Sequence, residues 1–378
     1  MAPKAKKGAG TKAKGSSRRQ ASKGTKNTPK IKKGDPLAEY QALMKTTGVN
    51  VTSLDAPDCL ANVPGHFSTG SLGVDLMMNG LGIPWGRVTE VYGDPYLGKS
   101  TFLDHIFASA QKIGGVVVLA EPEGGRDKHY TQRLGVDPAQ LQYLLFKREE
   151  LHLEGILQSI YNTADFWRNN YPEIPVIYGF DALGGTSTKG ESVNRLAASN
   201  QPGAAAKVMR EAGRLIPALL GNTNMAVVIC NHQYTTFNSY GSNRASYGGK
   251  GLSHLATLRL GLSWGGQLLG PGKRLMGHIL NAKLVKNKLG NAPREMKIAM
   301  VTGQGINNVW NIHNSLGEYG IRVKDGSWST IDMDGEIIKY QNWAGLFKKC
   351  EEDPGLGPRL MSVLKDAYLE REHASVRI

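Results

Sequence analysis

Cysteine is scarce in this 378-residue chain, which has three, Cys59, Cys230 and Cys350, and no C-x-x-C pair. Their wide separation argues against a disulfide framework and a cysteine zinc site, and it favours a reducing compartment. None of the nine histidines is followed by another four positions later, so the sequence offers no paired-histidine metal site. No apolar run approaches the ~18 residues of a membrane helix. We therefore expect no integral membrane protein.

Acidic residues are absent from the first 33 positions, which hold 12 of the chain's 46 lysines and arginines. The other 34 basic residues nearly balance the 32 acidic ones, so the formal charge of +14 belongs largely to this segment. Its Lys, Gly, Ser, Thr and Ala residues offer little to bury, so we expect residues 1–33 to be a disordered basic tail. Contact with a polyanion is the favoured use of such a tail, and a solubilising extension is the alternative.

Short apolar runs alternate with helical patterns through the middle of the chain, which predicts a mostly parallel α/β sheet. Helix-like segments, notably Ser100–Gln111 and Gly203–Leu220, lie between the runs. The strand-like runs are Val88–Tyr92, Val116–Ala120, Val176–Phe180, Met225–Cys230, Leu255–Leu262 and Leu280–Val285.

Changes of sequence character divide the chain into four predicted segments. The tail over 1–33 is followed by a small helical segment over 34–65, in which Leu37, Tyr40 and Leu43 recur at helical spacing. A core domain is expected over 66–304, and a small C-terminal α+β domain over 305–378. In the last segment, Leu360 and Leu364 lie on one face of an amphipathic stretch.

The residues from Gly93 to Ser100 match the pattern G-x-x-x-x-G-K-[ST], after a predicted strand and before a predicted helix. The glycines let backbone N–H groups surround phosphates, the Lys99 ammonium reaches the β and γ oxygens, and the Ser100 hydroxyl can ligate Mg²⁺. A glycine-rich turn with an exposed lysine is the alternative. The predicted nucleotide-binding residues are Gly93, Asp94, Pro95, Tyr96, Leu97, Gly98, Lys99, Ser100 and Thr101.

Acidic side chains follow two predicted strands, where nucleotide hydrolysis requires them. Asp181 comes directly after Val176–Phe180, the expected place of a Walker B acid that holds the Mg²⁺ shell. Glu121 and Glu123 come after the run that ends at position 120, so one of them is placed to polarise the attacking water. Helix capping, or pairing of these carboxylates with Arg126, is the alternative.

His232 follows another predicted strand, which ends at Cys230. A side chain at this strand end is placed to contact the γ-phosphate. A buried structural histidine fits the same spacing equally well, so the residues alone leave its role open.

Several segments, in order along the chain, resemble the RecA recombinase core. The first are Phe-Ser-Thr-Gly-Ser-Leu at 67–72, Gly-Ile-Pro-Trp-Gly-Arg-Val at 82–88, the phosphate loop, and Arg-Leu-Gly-Val-Asp at 133–137. The later ones are Asn231-His232, Gly-Gly-Lys-Gly at 248–251, Val-Lys-Asn-Lys at 285–288, and Gly-Ile-Asn at 305–307 followed by Trp328. The resemblance spans about residues 37–370, and the Asn231-His232 pair is similar to the phage UvsX-type branch. It implies a RecA-like P-loop core with a mostly parallel sheet, a small N-terminal helical segment that serves oligomerisation, and a small α+β C-terminal domain.

The resemblance also implies roles around a bound ATP. Glu123 takes the place of the water-activating glutamate, and Asp181 that of the Walker B acid, which holds Mg²⁺ together with Ser100. Asp127 and Tyr130 fall where the family contacts and stacks on adenine.

Further roles implied by the resemblance connect the nucleotide to DNA and to a second subunit. His232 lies where the family senses the nucleotide and communicates with DNA, although RecA itself has glutamine there. Lys286 and Lys288 match paired lysines that reach the γ-phosphate on the neighbouring subunit, which would make the active site composite. Without the resemblance, a solvated lysine-rich strand end is the alternative for both.

Two loops are expected to bind DNA, the first at about Gly184–Gly203 and the second at about Gln233–Lys250. Both are rich in Gly, Ser, Asn and Thr. In the second loop, Phe237 and Tyr240 can stack on bases, which contributes ~1–3 kcal/mol per base. The family's first-loop wedge falls near Pro202, which is a departure from the family pattern. Cations and glycines predicted for phosphate contact are Lys207, Arg210, Arg214, Arg244, Gly248, Gly249 and Lys250.

The favoured function is a DNA-dependent ATPase that forms filaments on single-stranded DNA and catalyses homology search and strand exchange. The expected cofactors are ATP and Mg²⁺. The expected partners are single- and double-stranded DNA, further copies of the chain in a helical filament, and single-strand-binding and loader proteins. The expected location is the cytoplasm, at the nucleoid or in the host cytoplasm if a phage encodes the chain. A RecA-core ring helicase or branch-migration motor is the alternative, and a non-catalytic DNA-coating protein is a third.

Overall fold

Strands and helices alternate through most of the described chain. The computed structural model describes residues 35–79, 81–194, 203–235, 244–290 and 294–376, so the predicted basic tail lies outside it. The strands are β1 His66–Phe67, β2 Ile83–Pro84, β3 Val88–Gly93, β4 Val116–Ala120, β5 Leu141–Tyr143, β6 Val176–Phe180, β7 Met225–Thr235, β8 Arg244–Ser246, β9 Leu258–Leu269, β10 Leu275–Asn287, β11 Arg294–Val301, β12 Gly305–Ile306, β13 Arg322–Asp325, β14 Trp328–Met333 and β15 Glu336–Tyr340. The α-helices are α1 Pro36–Thr46, α2 Leu72–Met77, α3 Lys99–Lys112, α4 Lys128–Arg133, α5 Leu153–Asn170, α6 Lys189–Asn194, α7 Ala204–Leu220, α8 Gly249–Leu255, α9 Asn308–Glu318, α10 Trp343–Glu352 and α11 Leu356–Val376.

One large sheet organises the core, with strand order β12-β11-β10-β9-β3-β7-β6-β4-β5 and β8 paired to β7. The strands from β9 through β3, β7, β6 and β4 to β5 are parallel, whereas β10, β11 and β12 continue the sheet as antiparallel strands. This confirms the predicted mostly parallel α/β architecture. The prediction that β7 ends at Cys230 is wrong, because the strand continues through His232 to Thr235. Since the parallel strands end along one edge, the side chains that follow β3, β4 and β6 come together there with those of the last part of β7.

Helices cover both faces of the parallel part of the sheet, which is why its strands read as continuous apolar runs. On β6, Ile177 packs into one apolar cluster with Phe102 and Phe107 of α3. Its neighbour Tyr178 packs into the cluster on the opposite face, with Ile156 of α5. All five side chains are fully buried.

The predicted and observed strands differ most where polar residues interrupt the pattern. The runs Val116–Ala120 and Val176–Phe180 have the predicted bounds. The prediction that a strand begins at Leu255 is wrong, because Leu255 ends α8 and β9 begins at Leu258. Both β9 and β10 also extend past their predicted ends, because they pair as a long antiparallel hairpin that carries polar residues on its surface.

His105 connects α3 to β12 through a hydrogen bond. Its Nε2 atom accepts the Ile306 N–H at 2.9 Å. Gly70 and Gly305 adopt positive φ, and a Cβ on either would lie within 3 Å of a His105 atom, so both positions suit glycine. Burial, with a smaller contribution from Lys112, lowers the pKa of His105 to about 4.

We expect this contact to make the fold sensitive to acid. The folded-state pKa of His105 lies below its ordinary value of 6.5, so the unfolded chain takes up the proton first as the pH falls. The stability from a neutral His105 is therefore fully present above pH 6.5 and lost progressively toward pH 4. Replacing His105 by glutamine keeps an acceptor that does not titrate, and should flatten the dependence of unfolding free energy on pH in denaturant titrations. Some dependence on pH will remain because burial also lowers the pKa of His313 to about 4. A slope as steep as that of the unsubstituted chain would contradict this account.

The C-terminal part has the predicted α+β character and packs around a separate apolar cluster, which Leu76 of α2 also joins. β13, β14 and β15 form an antiparallel three-stranded sheet. Ile331 of this sheet packs with Leu316 of α9 and with Leu360 and Leu364 of α11. The two α11 leucines are the residues that the amphipathic pattern places on one face.

Residues 35–53 and 54–376 belong to two separate compact units. In the first unit, α1 is the helix predicted from the leucine spacing, with Asp35 as its N-cap and Pro36 as its first residue. None of its residues is buried. No helix within the described ranges combines the length and the apolar character needed to cross a membrane.

Candidate active site

The phosphate loop connects the end of β3 to the start of α3. Gly93 lies so close to β9 that a Cβ would meet the Leu262 carbonyl oxygen at 2.4 Å. Gly98 is the N-cap of α3 in the left-handed region, with φ of +76°, and no side chain caps the helix. The first N–H groups of α3 are therefore available to an anion, and the helix dipole favours negative charge there.

The Lys99 side chain lies against its own loop. Its Nζ donates to the Gly93 carbonyl oxygen at 3.2 Å and to the Asp94 carbonyl oxygen at 2.8 Å. Burial lowers the pKa of the ammonium, and nearby acidic groups including Asp181 oppose that shift. Two backbone carbonyls of the loop thus hold the lysine ammonium.

A cleft of about 640 Å³ opens beside this loop, a size within the range of small-molecule sites. It brings together residues from the phosphate loop and from the ends of β4 and β6. The sequence-predicted residues in its lining are Tyr96, Gly98, Ser100, Thr101, Glu121, Glu123, Asp127, Tyr130 and Asp181. Leu97, in contrast, packs into the apolar core, so only its backbone can face a ligand.

The two glutamates that follow β4 have different surroundings. The Glu121 carboxylate is nearly buried and accepts the Tyr143 hydroxyl at 2.7 Å and the Gly125 N–H at 3.1 Å. The Glu123 side chain is 47% exposed and faces the cleft. Of these two glutamates, Glu123 therefore offers the carboxylate that is more accessible to a water molecule.

His232 lies next to Glu123, with 4.0 Å between its Nε2 and the Glu123 Oε1. Burial is the main cause of its lowered pKa, with a contribution from the nearby Lys99 charge. The imidazole is therefore neutral at neutral pH. Its backbone N–H donates to the Asn231 side chain at 2.9 Å, and the Asn231 amide donates in turn to the buried Glu90 on β3. This chain of hydrogen bonds connects the end of β7 to the strand that leads into the phosphate loop.

Arg126 is a cation of the cleft to which the sequence assigned no binding role. Its Nη2 donates to Asp181 at 3.0 Å, and its Nη1 pairs with Asp104 of α3. All three side chains are nearly buried. Burial raises the pKa of Asp104 to about 6, although the Arg126 charge and the Thr131 hydroxyl act in the opposite direction. Pairing with Arg126 thus occurs at Asp181 and not at the two glutamates.

The oxygen atoms near the phosphate loop fit Mg²⁺ only together with a phosphate. Ser100 and Asp181 supply hydroxyl and carboxylate oxygens, the ligand type that Mg²⁺ prefers. The described residues hold no cluster of three or more His, Cys, Asp or Glu side chains suited to a metal. Ser100 and Asp181 are the residues that would hold a Mg²⁺ ion bound to a nucleotide phosphate.

The side of the cleft assigned to the base is formed by the start of α4. Asp127 is the N-cap of α4 and accepts the N–H groups of His129 and Tyr130 at 2.8 and 3.2 Å, which lowers its pKa. The Tyr130 hydroxyl lies 3.1 Å from the Thr101 hydroxyl, and the Arg133 guanidinium lies over the Tyr130 ring. Asp127 therefore has a structural function in addition to any contact with a base.

Lys286 and Lys288 are not part of the cleft lining, and both lie at the C-terminal end of α8. Lys286 Nζ donates to the carbonyl oxygens of Ser253 and Ala256, the latter at 2.7 Å. Burial, then the charges of Lys288 and Arg259, lowers the pKa of Lys286 to about 8. These hydrogen bonds thus hold the ammonium groups of the pair at the end of α8.

The residues predicted to bind DNA are only partly described. Phe237 and Tyr240 lie outside the described residues, and Arg244 is described only as the backbone of β8, where it pairs with Thr235. Lys207, Arg210 and Arg214 recur at helical spacing on α7, and all three are exposed. Gly248 is the N-cap of α8, and Gly249 and Lys250 begin that helix.

Comparison with known proteins agrees with this architecture. The family model described as the RecA N-terminal domain matches residues 54–307. Protein RecA of Thermus thermophilus is 32% identical over 304 residues, which cover 80% of this chain and 84% of that protein. Protein RecA of Thermus aquaticus is 32% identical over 69% of this chain and 74% of its own length. Protein RecA of Chloroherpeton thalassium is 28% identical over 78% and 79%, respectively. Together with the parallel sheet and the phosphate loop, these matches show that the chain belongs to the RecA family.

Proposed function

We propose that this chain is an ATP-dependent recombinase that forms filaments on single-stranded DNA and catalyses homology search and strand exchange. One observation carries the proposal. In this chain of the RecA family, one cleft contains the uncapped start of α3, the exposed Glu123 carboxylate and Asp181. The Asn231-His232 pair leads us to propose the phage UvsX-type branch. The three free cysteines accord with the proposed cytoplasmic location.

Phosphate binding begins with the backbone of the loop. The free N–H groups at the start of α3 bind phosphate oxygens, and Lys99 exchanges the carbonyl oxygens of Gly93 and Asp94 for the β and γ oxygens. Ser100 and Asp181 would hold the nucleotide-bound Mg²⁺, which would neutralise charge on the phosphates. Tyr130 offers a ring to the base at the other end of the cleft.

Hydrolysis then depends on Glu123. Its carboxylate faces the cleft, has no competing hydrogen bond as strong as those of Glu121, and accepts a proton from the attacking water. His232, neutral and 4.0 Å away, responds to the γ-phosphate. Its strand continues to Thr235, within the start of the second predicted DNA loop, so a change at the phosphate can reach that loop.

A second copy of the chain completes the site in this proposal. Lys286 and Lys288 lie at the end of α8 and outside the cleft of their own chain, so they are available to the γ-phosphate of a neighbour. Cations supplied in this way stabilise the charge that develops during phosphoryl transfer. Hydrolysis therefore requires assembly.

DNA is the partner that promotes this assembly. The exposed Lys207, Arg210 and Arg214 form a cationic face on α7, between the two predicted DNA loops. Phe237 and Tyr240 are proposed to stack on bases, and the tail over 1–33 to contact phosphates. Double-stranded DNA, single-strand-binding proteins and loader proteins are further proposed partners.

The test measures ATP hydrolysis and light scattering together, with and without homopolymer single-stranded DNA. The proposal expects DNA to stimulate hydrolysis and to produce filament-sized scattering, with both lost in Lys99→Ala. If the protein instead forms a discrete ring whose DNA-stimulated hydrolysis is unchanged by Lys286→Ala, the ring motor is supported.

A further inference from the structure

Two adjacent glycines, Gly184 and Gly185, lie against the two residues to which the proposed function gives the hydrolytic and signalling roles. A Cβ on Gly185 would lie 2.1 Å from Glu123 Oε1 and 2.9 Å from its Cδ. A Cβ on Gly184 would lie 2.7 Å from His232 Cδ2 and 2.9 Å from its Cβ. Real Cβ atoms do not approach other atoms this closely. Each glycine thus leaves the space that one of these side chains occupies.

Backbone conformation does not explain this pair of glycines. Neither Gly184 nor Gly185 has a positive φ, the conformation for which glycine is otherwise required. Both belong to a short 3₁₀ turn, Leu183–Gly185, which follows Asp181 by two residues. The remaining reason for glycine here is the close approach of Glu123 and His232.

The turn that carries the glycines is anchored on both sides. Leu183 is fully buried and packs in the apolar cluster under α5 and α7. After the glycines, the Thr186 hydroxyl donates to the Ala182 carbonyl oxygen at 3.0 Å, and the Ser187 carbonyl oxygen accepts the Leu153 N–H at 2.8 Å. The glycine surface therefore has a defined position, and Glu123 and His232 take their positions from it.

The same turn begins the first segment predicted to bind DNA and lies beside the end of the second. The first predicted loop starts with these two glycines and continues into α6. The Leu183 side chain lies beside Gly248, where the second predicted loop ends, since a Cβ on Gly248 would meet Leu183 at 3.2 Å. A displacement of either segment therefore reaches the surface on which Glu123 rests.

We propose that Gly184 and Gly185 are positioning residues, which set the places of Glu123 and His232 and connect the DNA-binding segments to the hydrolytic centre. This inference rests on the proposed function, because it takes Glu123 as the residue that activates water. A methyl group at position 185 meets the flexible end of Glu123, so it turns the carboxylate away without a cost to the fold. A methyl group at position 184 meets the Cβ of His232, which cannot move without its backbone.

The test is a double-mutant cycle of Gly185→Ala and Glu123→Asp, with Gly357→Ala as the matched control. Gly357 lies near the start of α11, has no positive φ, and a Cβ there would meet nothing within 4 Å. Steady-state hydrolysis with single-stranded DNA gives kcat and KM, a fluorescent ATP analogue gives nucleotide affinity, and thermal unfolding gives Tm.

Gly185→Ala is expected to lower kcat by about 10- to 100-fold, because a small displacement of a reacting group has an effect of this size. Nucleotide affinity should equal that of Gly357→Ala, and both variants should unfold cooperatively. In the Glu123→Asp background, the oxygen that would lie 2.1 Å from the new methyl group is gone and Cγ, 3.1 Å away, is the nearest remaining atom, so Gly185→Ala should lower kcat by a smaller factor.

Three results would overturn the inference. The first is a kcat of Gly185→Ala equal to that of Gly357→Ala. The second is that Gly185→Ala lowers kcat by the same factor whether position 123 holds Glu or Asp. The third is a loss of cooperative unfolding in Gly185→Ala. The last would show a purely structural glycine. Failure of the proposed function has a different signature, since Glu123→Gln would then hydrolyse ATP at the unsubstituted rate whatever the effect of Gly185→Ala.

Discussion

Glu123→Gln is expected to lower ATP hydrolysis by about 10²–10⁴-fold, the usual contribution of a general base, while nucleotide affinity stays unchanged. The amide keeps the size of the side chain, so it still fits against Gly185. It loses the ability to take a proton from water. Steady-state hydrolysis and binding of a fluorescent ATP analogue measure the two quantities separately.

Glu121→Gln is the matched control, because it makes the same chemical change two residues away. The Glu121 oxygens already accept the Tyr143 hydroxyl and the Gly125 N–H, so this carboxylate supports the loop. We expect Glu121→Gln to keep most of the hydrolysis. The assignment would be contradicted if Glu121→Gln were the inactive variant, or if Glu123→Gln retained the unsubstituted rate.

Arg126→Met is expected to lower the free energy of unfolding by about 3–5 kcal/mol, because it leaves two buried carboxylates without their cation. Asp104 and Asp181 are 3% and 9% exposed at the side chain, so water replaces little of the lost interaction. Adding Asp104→Asn removes one of the two charges and should recover part of the loss. Denaturant unfolding of the single and double variants measures both effects.

A surface ion pair gives the control for Arg126. Lys283 and Glu295 pair across β10 and β11 with side chains 49% and 60% exposed, so Lys283→Met should cost less than about 1 kcal/mol. Mg²⁺·ATP supplies a new cation at Asp181 and should therefore raise the Tm of Arg126→Met more than that of the unsubstituted chain. Equal losses of stability in Arg126→Met and Lys283→Met would contradict the structural importance of the buried pair.

Local sequence patterns predicted the parts of the site that depend on neighbouring residues. One contiguous motif contains the loop glycines, Lys99 and Ser100, and it follows a predicted strand. Asp181 also directly follows an unbroken apolar run. Because parallel strands end at the same edge of a sheet, these positions suffice to predict that the residues lie together. The bounds of β4 and β6 were predictable for the same reason, since strands buried on both faces have continuous apolar sequences.

Such patterns could not predict contacts between residues that are distant in the sequence. The choice between Glu121 and Glu123 depends on the Tyr143 hydroxyl, 22 residues away. The partnership of Arg126 with Asp181 spans 55 residues. Asp104 gave one usable signal, because it lies one helical turn after Ser100 and so on the same face of α3. Gly184 and Gly185 gave none, because their use depends on which side chains pack against them.

Mixing two inactive variants tests the central claim most directly. Lys286→Ala keeps Glu123 but lacks the proposed trans lysine, and Glu123→Gln keeps Lys286 but lacks the base. In a random filament on single-stranded DNA, one interface in four joins an intact Glu123 to an intact Lys286. The account predicts that an equal mixture hydrolyses ATP at about a quarter of the unsubstituted rate, if cationic groups act across the interface. If the mixture hydrolyses ATP no faster than the average of the rates of the two variants measured separately, the composite site is contradicted.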